Sequence, residues 1–182
     1  MQIIRRRDLV ETPWKNGGGI TRNIAEERDD RGALWRLSMA DVDGDGTFSS
    51  FPGLTRILTV IKGDGMVLHG PDGDLQADYA NPVRFDGAAP VTATLTQGPI
   101  RDFNLMFDTA RCAGDAQIVR NAGPHQVGQA GQTGVLHVIA GTASVHGADL
   151  GVGDTAISTA APLRFDLVQD AVALTITLRP QG

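Results

Sequence analysis

Val60-Ile61-Lys62-Gly63 recurs as Val138-Ile139-Ala140-Gly141, 78 residues on, and the reading of that recurrence decides the fold. Two further matches keep the same order. His69-Gly70 returns as His146-Gly147 after 77 residues, and Pro82-Val83-Arg84-Phe85-Asp86 as Pro162-Leu163-Arg164-Phe165-Asp166 after 80. A nearly constant offset reads as a duplicated unit: strand, glycine turn, strand, loop, strand. Copies of about 80 residues have the size of jelly-roll halves that bury their apolar faces together. Gly151-Val152-Gly153-Asp154 reads as the turn before a late strand of the second copy.

Working outward, 23 glycines and 9 prolines divide the 182 residues into short segments. Between them lie runs rich in Val, Ile, Thr, Leu and Phe at 56–61, 66–69, 91–96, 103–107, 135–140, 163–168 and 172–178. Short β-favouring runs with frequent turn signals predict an all-β sandwich or barrel, and no window reads as a capped amphipathic helix. The expected organisation is an N-terminal half at 1–113, a Gly-, Ala- and Gln-rich connection at 114–134 and a C-terminal half at 135–182, packed as one unit.

Bulk composition narrows the function classes. An apolar fraction of 41% fills a core without disulfides or metals, and the one cysteine, Cys112, fits a reducing cytoplasm. Arg5-Arg6-Arg7 has no apolar stretch behind it, so no secretory signal is read there, and no apolar run approaches a membrane span. A net charge of −5 argues against a nucleic-acid partner. The Arg triplet reads as the solvated end of a first strand.

The four histidines, His69, His125, His137 and His146, include no His-x-His pair, and they read as turn-proximal surface residues. No metal and no cofactor are expected. Cys112 reads as an incidental thiol in a loop-like stretch, and Ser38, Ser49 and Ser50 lack a nucleophile-elbow setting. Gly17-Gly18-Gly19 lacks phosphate-loop spacing, with Lys15 ahead of the glycines and no helix after them. It reads as a tight turn that displays Lys15 and Asn16, with or without a ligand.

Strand alternation carries the site expectation. Trp35, Leu37 and Met39 share one face and Arg36, Ser38 and Ala40 the other; Phe103, Leu105 and Phe107 oppose Asp102, Asn104 and Met106. The mixed faces use short, directional polar groups beside Ala and Met, which suits a pocket wall better than a solvated surface. Arg22, Arg36, Arg56 and Lys15 then offer charges for a carboxylate, while Asn16, Ser38 and Asn104 orient a polar group. Asp102 either pairs with an arginine or faces a cationic part of the ligand.

Several of these stretches resemble the HutD/Ves family. Trp14-Lys15-Asn16-Gly17-Gly18-Gly19 with Thr21-Arg22, Trp35 to Ala40, Phe48-Ser49-Ser50-Phe51-Pro52-Gly53, Arg56-Ile57-Leu58 and Asp102 to Met106 match its motifs, with Thr47 where Pro is usual. The resemblance implies a bicupin of the RmlC-like jelly-roll type, cytoplasmic and linked to histidine breakdown, whose metabolites are anionic. Three readings stay open. The chain binds a small anionic metabolite such as urocanate or a formylglutamate-like compound; it is a metal-independent isomerase or hydrolase using Asp102 and Lys15; or it is a structural β domain that forms a homodimer through an exposed strand edge.

Overall fold

The structure is a computed structural model that describes residues 1–15 and 17–181. It is all-β, with a single three-residue 3-10 helix, Arg6–Asp8, among the described residues. Among the described residues no helix is long and apolar enough to cross a membrane. The chain divides into two units, Val10–Arg111 and a second made of Met1–Leu9 with the chain from Cys112 onward.

Strand β1 (Gln2–Ile4) belongs to the second unit. The first unit holds β2 (Glu11–Pro13), β3 (Gly19–Asp29), β4 (Gly32–Val42), β5 (Gly46–Thr47), β6 (Thr55–Lys62), β7 (Gly65–Gly70), β8 (Gly73–Asp78), β9 (Val83–Asp86), β10 (Thr92–Leu95) and β11 (Ile100–Phe107). The remainder of the second unit is β12 (Cys112–Val119), β13 (Gly123–Val127), β14 (Thr133–Ala140), β15 (Ala143–Val145), β16 (Ala148–Leu150), β17 (Thr155–Ser158), β18 (Leu163–Leu167) and β19 (Val172–Pro180).

Each unit is a pair of antiparallel sheets. In the first the orders are β2-β3-β4-β11-β6-β9 and β5-β10-β7-β8; in the second they are β12-β19-β14-β17-β1 and β13-β18-β15-β16. The run β4-β11-β6-β9 therefore answers to β12-β19-β14-β17, and β5-β10-β7-β8 to β13-β18-β15-β16. The duplication reaches individual residues. In β6 the extra residue Ile61 separates the pairs Val60↔Asp102 and Lys62↔Arg101. In β14 Ile139 does the same between Val138↔Ala173 and Ala140↔Val172. Gly63 and Gly141, which close the repeated tetrapeptides, both take positive φ, 91° and 70°. A side chain on either would press on the strand beyond the bulge, on Pro99 and Ile100 or on Ala171.

The pairing corrects two expectations. The match of residues 82–86 with 162–166 is out of register. Strand β9 pairs with β6 as β17 pairs with β14, so the counterpart of β9 is β17, and β18 answers to β10. Shorter loops in the second copy change the offset, and similar strand chemistry supplied a chance match. The segment 114–134, expected as a connection, contains most of β12 and all of β13. Its small residues suit strands whose partners, β19 and β18, carry the bulk.

Alternating strand residues build one core inside each unit. Ala40, Val42, Leu58, Val60 and Ile100 from one sheet meet Met66, Leu68, Ala77 and Ala93 from the other. In the second unit Leu136, Val138, Ala156 and Ala173 meet Val145, Leu150, Leu163 and Phe165. The Arg triplet takes its own path. Arg5 reaches Asp154 at 2.8 Å and the Asp149 carbonyl at 2.7 Å, which fastens the chain end to the second unit after β1 has paired with β17.

Gly63→Ala combines a left-handed φ, worth about 1–2 kcal/mol, with a collision against backbone. Thermal or urea unfolding should show a loss of about 2–4 kcal/mol. Gly44→Ala, which meets nothing within 4 Å, should stay within about 0.5 kcal/mol of wild type.

Candidate functional site

The interior of the first unit is filled at one end and hollow at the other. A cavity of about 630 Å³ opens there, walled by β2, β3, β4, β6 and β11, by the end of β5 and by the segments 14–15 and 48–51. Alternation along the walls puts Arg36, Ser38 and Ala40 of β4 beside Asp102, Asn104 and Met106 of β11, with Arg56 of β6. The alternate face of these strands, including Leu37, Met39, Phe103 and Leu105, is apolar and buried.

Arg56 is the most buried arginine in the wall, 4% exposed. Its guanidinium carbon lies 5.1 Å, 5.5 Å and 5.0 Å from the ring centres of Phe48, Phe51 and Phe85. Rings at such distances offer their negative faces to the cation. Nη2 donates to Asn104 Oδ1 at 2.6 Å and Nη1 reaches the Ser49 carbonyl at 3.4 Å, while Nε has no partner. The Phe-Ser-x-Phe turn is thus a box for this arginine.

Asn104 turns its other end to Asp102. Its Nδ2 donates to Oδ1 of the carboxyl at 2.5 Å, and Oδ2 is buried with no partner. Arg56 and Asp102 are therefore joined through an amide. Burial pushes the Asp102 carboxyl up to about 7, against the opposing pull of the Arg56 charge and of the Ala40 main-chain N–H, and the Asp41 charge pushes the same way as burial. Burial likewise lowers the Arg56 guanidinium to about 10, with Asp102 resisting and Arg36 adding to the fall.

At the rim, Trp14 donates its indole N–H to Thr21 Oγ1 at 2.7 Å. Gly19 lets the turn lie close, because a side chain there would strike the Asp41 carbonyl oxygen and the Trp14 ring. This places Lys15 in the lining as an exposed cation. Arg36 is half-buried and donates from Nε to Asn23 Oδ1 at 2.8 Å.

The structure gathers Lys15, Arg36, Ser38, Arg56, Asp102 and Asn104 of the expected set around one cavity. Asn16 lies outside the described residues. Arg22 stands apart from the lining. Thr21 and Asn23 face the cavity, so Arg22 between them points to the other side, where Glu11 accepts at 2.5 Å and Asp41 at 2.8 Å. Asp41 also accepts from Arg101. Burial alone would raise the Asp41 carboxyl, yet hydrogen bonds from Arg101 and Arg22 outweigh it and hold it below the usual carboxylate range. Arg22 is thereby a bracing residue between β2, β3 and β4.

Reading by residue type missed Trp14, Thr21, Asn23 and the phenylalanines around Arg56; strand parity along β3 and the motif turn around Phe48 were the available signals. Two other expectations change. His137 is fully buried in mid-strand, with Nδ1 2.9 Å from Thr155 Oγ1, and Cys112 is buried in β12. Among the described residues no three His, Cys, Asp or Glu side chains converge where a metal ion could sit.

Because the folded-state pKa of Asp102 lies above its ordinary value of 3.8, the contribution of Asp102 to stability falls as pH rises from about 4 and levels off above about 7. Asp102→Asn removes that loss. Its melting temperature relative to wild type should be several degrees more favourable at pH 8 than at pH 4, at roughly 2–4 °C per kcal/mol for a chain of this size. A pH-independent difference in calorimetric scans would mean that the carboxyl titrates normally.

The HutD family model matches residues 6–175. An uncharacterized 21.2 kDa protein of the hutC 3' region of Pseudomonas putida is 41% identical over 115 residues, 61% of this chain and 60% of that protein. Protein Ves of Citrobacter koseri is 34% identical over 65% of this chain and 63% of its own. The match thus spans less than two thirds of the length of these curated relatives. The solved structure of HutD from Pseudomonas fluorescens SBW25 superposes with a TM-score of 0.87 at 34% identity, covering 100% of this chain and 99% of the other. Ylba from E. coli, at 9% identity and a TM-score of 0.77, shares the fold alone. The two-unit fold is of the bicupin type, and the chain belongs to the HutD family.

Proposed function

We propose that the protein binds a small anionic metabolite in the hollow unit, in the cytoplasm, as a regulatory component of histidine breakdown. Urocanate and formylglutamate-like carboxylates are the expected ligand class. One observation carries this reading: the duplicated unit supplies an internal control. The counterpart of Arg56 is Gly134, that of Asp102 is Ala173 and that of Asn104 is Thr175. The same β scaffold stands without any of the three, so the strands themselves do not require them. Where they occur, a cavity of about 630 Å³ stands open beside them.

The charge balance of the lining favours an anion. Lys15, Arg36 and Arg56 face the space, and the one carboxyl among them, Asp102, is pushed up to about 7. Arg56 is held in a fixed plane, which favours the forked geometry of a carboxylate. Arg36 and Lys15 are exposed enough to meet a second charged group at the rim. The link to histidine breakdown draws support from the P. putida relative, named for its place beside hutC, and from the family name.

A thermal-shift screen with urocanate, formylglutamate and unrelated carboxylates tests the reading. At 100 times Kd a ligand adds about 2.7 kcal/mol of stability, a rise of roughly 5–10 °C at this size. Arg36→Ala should abolish the shift while moving the ligand-free melting temperature by no more than about 2 °C, since its lost contacts are at a partly exposed site. Absence of a shift with every carboxylate would remove the proposal. A shift that survives in Arg36→Ala would remove Arg36 from the site.

A further inference from the structure

Asp102 has an unusual position for an acidic residue in a site that favours anions. It is fully buried on the cavity wall, and its Oδ2 has no hydrogen-bond partner. The other oxygen is occupied by Asn104, and Asn104 in turn occupies Nη2 of Arg56. No direct ion pair joins Arg56 and Asp102 among the described residues. The cavity floor therefore holds one guanidinium and one carboxyl, separated by an amide.

The groups around Asp102 can be named from each packed element. Strand β6 brings Arg56, β4 brings Arg36 and Ser38, and β11 itself brings Asn104. Strand β3 and the end of β5 bring the uncharged Thr21, Asn23 and Thr47, and the turn before β3 brings Lys15. Asp41, which also acts on Asp102, lies on the far side of β4 and is already held by Arg22 and Arg101. No histidine and no second carboxyl line the cavity among the described residues.

An anion drawn to Arg56 must enter the enclosure that contains Asp102. Lys15 and Arg36 neutralise charge at the rim, where water also screens it. On the floor, an added carboxylate would leave two negative groups facing one guanidinium in a region of low dielectric. Two carboxylates in one dry site do not both stay ionised; they share a proton, and one pKa rises steeply. The unpartnered Oδ2 is the atom that can carry that proton.

We propose that the anion enters this cavity together with one proton, taken up by Asp102, whose Oδ2–H then donates to the ligand. The proposal rests on the anion-binding reading above. The proton comes from bulk water and returns there on release, so no other reactant is needed. Asp102 thus makes affinity depend on pH within the physiological range, because its free carboxyl already sits near 7. It also selects for ligands that present a hydrogen-bond acceptor beside their charge.

Isothermal titration of the whole protein with formylglutamate tests this, repeated between pH 6 and 8.5 in buffers of different ionisation heat. The carboxylates of the free probe stay ionised throughout, so proton uptake that is lost in Asp102→Asn belongs to the pair that Asp102 forms with the ligand. Uptake should approach one proton near pH 8, with affinity falling by up to about tenfold per pH unit above pH 7 and little below pH 6. Asp102→Asn should bind with no buffer dependence and lose the fall in affinity. The wild-type measurement stands by itself should that variant fail to fold. Binding without proton uptake, or an undiminished pH dependence in Asp102→Asn, would overturn the proton and leave the anion site intact. No binding by wild type of formylglutamate, urocanate or any other carboxylate would overturn the anion site and the proton with it.

Discussion

The burial of the Arg56 guanidinium is the constraint around which the first unit is arranged. A cation taken out of water costs several kcal/mol unless its surroundings replace the lost hydration. Here the replacement comes from three aromatic faces, one amide oxygen and one main-chain carbonyl. Each provider makes its own demand on sequence. Phe48 and Phe51 require a turn that returns to the barrel end, closed where the Phe51 amide donates to the Gly87 carbonyl at 2.7 Å. Asn104 needs a hydrogen-bond acceptor for its second end, and Asp102 supplies it two residues away on the same strand face. The aromatic turn, the asparagine and the buried acid form one dependent set.

The second unit shows what the scaffold becomes without that set. Its core is an apolar cluster, with Phe165 and Leu163 packed on Leu136 and Val138. Ala40, which lines the cavity, answers to Val119, which packs on that apolar cluster. The repeated parts are those the backbone needs, namely the bulge after Val60 and Val138 and the left-handed glycines after it. A bulge of this kind twists the strand and re-aims its neighbours. In one unit it precedes Asp102 across the ladder, in the other Ala173, so one distortion serves both a polar site and a plain core.

Much of this fold was legible because strands advertise themselves by alternation and turns by glycine. The duplication was readable from Val60-Ile61-Lys62-Gly63 because its bulge and glycine are geometric necessities in both copies. The third match misled because Val-Arg-Phe-Asp and Leu-Arg-Phe-Asp are generic half-buried strand sequences whose register depends on loop lengths. Strands such as β12 and β13 escaped notice because Gly, Ala and Gln give little periodic signal. At the site, parity on β4 and β11 was sufficient to group Arg36, Ser38, Asp102 and Asn104. Arg22 was misplaced because its side of β3 depends on register against β4, and a bulge between Asn23 and Ala25 lies close by. His137 shows the same limit, since a histidine in a Val-rich strand reads alike whether buried or exposed.

Distinguishing structural from functional arginines comes down to who satisfies them. Arg22 is nearly as buried as Arg56, yet it is held by two carboxylates, which explains its position without any ligand. Arg56 has no carboxylate within ion-pair distance among the described residues, and an unpartnered Nε remains. Rings and an amide stabilise the cation but leave its charge uncancelled, so its field reaches into the open space beside it. A fold that needed only a brace would place an acid against Arg56, as it does against Arg22. Instead the nearest acid is kept one amide away, with a free oxygen of its own. That spacing leaves Arg56 Nε and Asp102 Oδ2 without partners, and the proposed anion, arriving with a proton on Asp102, would satisfy both.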